Sequence, residues 1–111
     1  MNAFGSQAMS ARLARVLMRR PGKSLLAANA AEWHYGPGFD GEKAVAQYAR
    51  FATRVEQSGA EVLWIEDNGD GLADSMFTHD PSLMTDKGAI ILRMGKGLRV
   101  PEGKLHEEAY N

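Results

Sequence analysis

Cysteine is absent from the 111 residues, and neither sign of charge dominates: 13 Lys and Arg stand against 14 Asp and Glu. Without a thiol the chain can form no disulfide, bind no zinc or iron–sulfur cluster through sulfur, and run no thiolate catalysis. A net charge of -1 gives no support to nucleic acid or another polyanion as a partner. Long apolar runs are missing too, and none approaches the ~20 residues needed to cross a bilayer. Near the N-terminus Arg12, Arg15, Arg19 and Arg20 interrupt Leu13, Ala14, Val16, Leu17 and Met18. That pattern leaves no apolar core for an export signal, so the expected location is cytoplasmic.

What is present is ordinary for a folded protein. Hydrophobic residues make up 44% and charged residues 24%, which argues against disorder, collagen and coiled coil. The length suits one domain that buries roughly two-thirds of its extended surface. Residues 1–10 are small and polar and read as a loose leader, with a single α/β domain over 11–111.

Arg15 to Arg20 carries Val16-Leu17-Met18 and stops at Pro21-Gly22, the pattern of a buried strand and a turn. Lys23 to Asp40 reads as a loop with a short helical turn. Trp33 and Tyr35 within it are either a packing lid or a contact surface. From Glu42 to Ser58, Ala44, Val45, Tyr48, Phe51, Ala52 and Val55 recur at helical spacing, with Asp40 as N-cap and Gly59 past the end. Val62-Leu63-Trp64-Ile65 reads as a strand buried on both faces, and Asn68-Gly69-Asp70-Gly71 as a turn. Met76 to Met84 reads as an edge or bulged strand because it contains Pro81. Asp86-Lys87-Gly88 turns it into a hairpin with a buried strand over Ala89 to Met94. Pro101 to Tyr110 starts a second helix, with Pro101 near its first turn.

One main helix over a small mixed sheet follows from this order. The strand centres are apolar on both sides, so the second face needs a cover. One domain of chain cannot supply it, and a homo-oligomer is the expectation from composition.

Several patterns fall short of chemistry. Glu66 to Gly71 imitates a calcium loop, but its twelfth position is Phe77, where a bidentate Glu is required. His34, His79 and His106 lack metal spacing and read as two surface histidines and one near a loop. Gly95-Lys96-Gly97 lacks the spacing and ending of a phosphate loop. No metal and no cofactor is expected.

The informative stretch is Asp74 to Leu83. Asp74 and Asp80 are six residues apart, which on an extended strand places both on one face, with Phe77 on the other unless a bulge re-aims it. Neighbouring carboxylates need a cation, and a planar guanidinium meets them with paired hydrogen bonds. Arg93 or Arg99 is a candidate from within the chain. The other reading is a pocket for an external guanidinium, walled by Phe77, with an arginine for the ligand's far carboxylate.

Phe77-Thr78-His79-Asp80-Pro81, with Asp74 before it and Gly88 to Arg93 and Arg99-Val100-Pro101-Glu102 after it, resembles the guanidino-group-modifying enzymes. These are the arginine deiminases, dimethylarginine dimethylaminohydrolases and amidinotransferases. Arg15 to Pro21 and the helix before Gly59 to Val62 resemble that family's opening, so the likeness spans about residues 12–110. It implies a five-bladed α/β propeller (pentein) of ββαβ units, of which this chain is the N-terminal unit and part of the next. It also implies that Asp80 pairs with a substrate guanidinium, that Asp74 and Phe77 contact substrate, and that Arg99 lies near the arginine holding the substrate carboxylate. The family's catalytic cysteine and histidine belong to later units, and no residue here is read as catalytic. His79 lies in the matching run without being promoted to a base. Ser75 and Thr78 cannot replace a thiolate without an activating base.

Three readings remain. The chain is a non-catalytic oligomeric domain with a half-site for an arginine-like small molecule. Or it is a subunit of a split enzyme whose partner, a second propeller-half chain, brings Cys and His. Or it is a structural module whose acids meet its own arginines.

Overall fold

The computed structural model describes residue 8 and residues 10–111, so most of the expected leader lies outside the described residues. The chain runs β1 (Arg15–Met18), α1 (Lys23–Leu26), α2 (Gly41–Gln57), β2 (Glu61–Trp64), β3 (Ser82–Thr85), β4 (Gly88–Ile91) and α3 (Glu102–Tyr110). A 3₁₀ turn, Gly97–Arg99, leads into α3.

α2 forms where the sequence places it, because its start and end are both specified. The Asp40 carboxylate accepts from the Lys43 N–H at 3.1 Å, satisfying one of the orphan donors of the first turn. At the far end Gly59 takes φ +92°, the left-handed position that ends helices without a Cβ penalty. Only Ala52 on this helix is buried, and Phe51 is 56% exposed. α3 follows Pro101, which sits at the N-cap, just outside the first turn.

The strands do not join into one mixed sheet. β1 and β2 pair in parallel, Arg15 opposite Glu61 and Met18 opposite Trp64, while β3 and β4 form a separate antiparallel hairpin with Leu83 opposite Ile90. The physical reason lies before Ser82. The stretch from Met76, expected as strand, is a series of turns as far as Pro81. Successive amides close back on themselves: Ser75 N–H donates to Leu72 C=O, and Phe77 N–H to Asp74 C=O. Buried Pro81 has no N–H for a ladder and a fixed φ, so pairing begins only after it.

Within one chain the strands are not covered on both faces. Leu63 is 42% exposed, Leu83 56% and Ile90 49%. Each sheet has only two strands, with α2 against β2 on one side and α3 against β4 on the other. α3 sits close: a Cβ on Gly103 would lie 3.1 Å from Ile91 Cγ2.

The apolar core is small. Leu25, Trp33 and Ala73 are buried together, with Tyr35, Ala44, Met76 and Leu98 packed against them, so the Trp33 loop is a packing lid. Among the described residues seven apolar side chains besides Pro21 and Pro81 are buried, and seven polar or charged ones are buried with them. Buried polar groups cost free energy unless paired. Much of this fold therefore depends on polar networks rather than on apolar packing alone.

Candidate functional site

The turns between Asp74 and Pro81 are fastened to β1 by the Thr78 hydroxyl, which donates to Leu17 C=O at 2.8 Å. They are fastened to α3 by Arg99, which is 7% exposed. Its Nε and one Nη donate to the two oxygens of Glu102 at 2.8 and 2.9 Å; a second Nη reaches Asp80 Oδ2 at 2.9 Å, and Phe77 C=O accepts at 3.1 Å. Four of the five guanidinium N–H groups are thus engaged within the chain. The hydrogen bonds that Arg99 donates to Glu102, joined by the one to Asp80, raise its pKa further above its already high value. Arg99 is therefore turned inward, as a hub between the turns and α3.

Asp80 behaves differently from Asp74. The Asp80 side chain is 45% exposed although Arg99 fixes one of its oxygens. Phe77, three residues earlier, is 51% exposed, with the Arg99 guanidinium carbon 5.9 Å from its ring centre. Asp74 is buried, accepts from the Tyr35 hydroxyl, and pairs with Lys96 Nζ at 2.8 Å. Burial, with the Asp74 hydrogen bond second, pushes the Tyr35 hydroxyl well above its usual pKa. Lys96 also donates to Trp33 C=O at 2.7 Å, closing the aromatic lid over the acid. The structure thus gathers Asp80, Phe77 and Arg99 and places Asp74 in a neighbouring cluster. The two acids do not share a strand face, because the segment between them is not a strand. Arg93 is exposed and forms none of these pairs.

A third network surrounds Arg19, which is 1% exposed. It donates to Asp70 at 2.6 Å, Ser75 Oγ at 2.7 Å and Glu66 C=O at 2.8 Å. The loop that imitated a calcium site is instead the cradle of this guanidinium. Burial acts to raise the pKa values of Asp67 and Asp70. Hydrogen bonds from Ser24 and Gly69 N–H to the first, from Arg19 and Leu72 N–H to the second, and the Arg19 charge together outweigh it, and both end below the usual carboxylate range. Among the described residues no group of acids and histidines has the arrangement of a metal site.

His106 departs from the expectation of two surface histidines and one near a loop. It is 1% exposed inside α3, with Nδ1 at 2.7 Å from Ser82 Oγ, and Ser82 Oγ is 3.2 Å from the Tyr110 hydroxyl. His34, at φ 65°, and His79 are exposed, as expected. Burial, helped by the positive Arg99, lowers the His106 pKa to about 4. The unfolded chain therefore takes up a proton near pH 6.5 that the folded chain refuses until about pH 4. Stability is expected to fall across that window by up to about 3 kcal/mol. Urea unfolding from pH 7 to pH 4 checks this, with His106→Gln expected to flatten the profile. A wild-type profile level down to pH 4.5 would contradict a neutral buried imidazole.

Searches of protein-family models, of curated proteins and of solved structures return no match to this chain. The residues that the sequence missed were Glu102, Lys96 and Arg19 as ion-pair partners and Tyr35 as a hydrogen-bond donor to Asp74. Arg99 and Glu102, three apart at a helix start, were the available signal for the first pair.

Proposed function

We propose that this chain is an assembly domain of guanidino-modifying ancestry that carries half of a guanidinium site and performs no group transfer by itself. The observation that carries this reading is the pairing of a half-exposed carboxylate with an exposed aromatic ring. Asp80 is 45% exposed, is oriented by buried Arg99, and lies three residues from the 51% exposed ring of Phe77. A planar cation can be hydrogen-bonded by such a carboxylate and stacked on such a ring. Arg99 enters this reading as the group that positions Asp80, because its own donors are engaged. The second element is assembly. Leu83 and Ile90 face each other across the hairpin and are both about half exposed, as an uncovered apolar face would be.

L-arginine and agmatine are expected to raise the melting temperature, and citrulline, which lacks the cation, is not. Ligand at about a hundred times its dissociation constant adds roughly 2.7 kcal/mol. Asp80→Asn should abolish the shift. Light scattering on the same samples should give a mass above the 12.1 kDa of one chain. A monomer with no response to any guanidine would remove both parts of the reading.

The internal ion pairs favour a second reading, a structural module without a ligand. Arg99 with Asp80 and Lys96 with Asp74 already neutralise the two acids. An oligomer that ignores arginine and agmatine would select this reading.

A further inference from the structure

Away from the hairpin, the chain has a concave feature with its own chemistry. β1 and β2 are parallel, and the segments leaving their carboxyl ends separate around a cleft of about 520 Å³. In sheets of parallel strands, ligands bind in the crevice outside these carboxyl ends. The volume is within the range of small-molecule sites, about 300–1,000 Å³. Its walls include Arg20, Gly22 and Lys23 after β1, Trp64 at the end of β2, and Glu66 and Asp67 after it.

Three observations say what could occupy it. First, the walls are tied together, so the cleft is preformed. Asp67 accepts from Ser24 N–H at 3.0 Å and Ser24 Oγ at 2.7 Å, and a Cβ on Gly22 would lie 3.4 Å from Asp67. Second, Arg20 is ordered without being neutralised. Its guanidinium carbon lies 4.1 Å from the centre of the Trp64 ring, a cation–π contact that restrains it. Its one carboxylate partner, Glu56, is at 3.8 Å, with both side chains 52% exposed, a pairing of little strength in water. Third, the remaining charges are unequal. Lys23 and Glu66 form none of the ion pairs found among the described residues, while Asp67 is engaged by Ser24 and by Gly69 N–H. Asp67 keeps its charge but meets the buried Arg19 at 3.9 Å, so Arg20 and Lys23 face one carboxylate, Glu66, that no cation meets among the described residues.

We propose that this cleft binds a small molecule through a carboxylate or phosphate group, held between the guanidinium of Arg20 and the ammonium of Lys23. A planar guanidinium offers paired N–H donors to such an oxyanion, and the contact with Trp64 restrains it beforehand. The site is separate from Asp80 and Phe77, and its test does not depend on the guanidine reading.

The experiment is a titration of the ¹⁵N-labelled full chain with inorganic phosphate, phenyl phosphate and benzoate at constant ionic strength. Saturable shifts confined to the Trp64 indole and to residues 20–23 and 64–67 are expected. A response to phosphate and phenyl phosphate alone assigns a phosphate ligand, and a response to benzoate alone a carboxylate. Arg20→Gln and Lys23→Gln are expected to weaken binding by about tenfold or more each, as for a charge-assisted hydrogen bond. Lys87→Gln, on the exposed hairpin turn, should change nothing. All three substitutions are at residues outside the buried networks, so the fold survives them. Shifts that spread over exposed cations without saturating, or an affinity unchanged by Arg20→Gln, would overturn the proposal.

Discussion

Replacing Glu102 with glutamine is expected to destabilise the fold by about 3–5 kcal/mol, the range for breaking a buried ion pair by removing one partner. Glu102 is 0% exposed and accepts two hydrogen bonds from Arg99. The substitution preserves volume and removes only charge, leaving a buried guanidinium whose remaining acid, Asp80, is half exposed. The midpoint of urea unfolding should fall while its slope stays constant, the signature of lost stability without a changed unfolded state. The double variant Arg99→Met/Glu102→Leu should recover part of the loss, because it leaves no orphan charge. A loss below about 1 kcal/mol for Glu102→Gln would place this pair with weak surface pairs.

Arg19→Met should have a comparable effect, about 3–5 kcal/mol, for a related reason. It removes the cation from Asp70, a partner from the Ser75 hydroxyl and one from Glu66 C=O. Arg19→Lys should restore little, since an ammonium cannot reach partners in several directions from one plane. The local signature is faster amide exchange at Gly71 and Leu72, whose N–H groups donate to Ser24 and Asp70 in the same network. Equal stability of Arg19→Lys and wild type would mean that charge alone, not the fork geometry, fills this site. Nε of Arg19 is the one buried side-chain nitrogen without a partner among the described residues, so some of that geometry already carries a cost.

The elements that the sequence made legible are those specified by local chemistry. α2 has a cap, a periodic face and a terminating glycine, and it appears within a residue of its expected bounds. The β3–β4 hairpin follows from Asp86-Lys87-Gly88 between two apolar runs. What local pattern could not show was pairing at a distance. Val16-Leu17-Met18 and Val62-Leu63-Trp64 each read as a strand, yet nothing in either run says that they pair only with each other. Asp74 and Asp80 were legible as acids in need of a cation. Which cation each meets depends on turns that bring Lys96 and Arg99 back to them. His106 was missed because one buried histidine on a short helix has no sequence signature. Its environment comes from Ser82, 24 residues earlier.

The two sheets also differ in how far the chain must travel to make them. In the hairpin, Thr85 meets Gly88 across a two-residue turn, whereas Arg15 meets Glu61 at a separation of 46 residues. Closing the longer loop costs more chain entropy before any contact rewards it. Residues 82–110 can therefore condense early, with α3 on the hairpin, while β1 searches for β2. The Arg19 network forms in that same late step, since its bonds span 47 to 56 residues. Refolding followed by pulsed amide exchange should thus protect β4 before β1. Until the second event, the loop from Glu66 to Gly71 holds its carboxylates without the guanidinium that gathers them. The last barrier to the native state is then partly electrostatic, and salt should change its height.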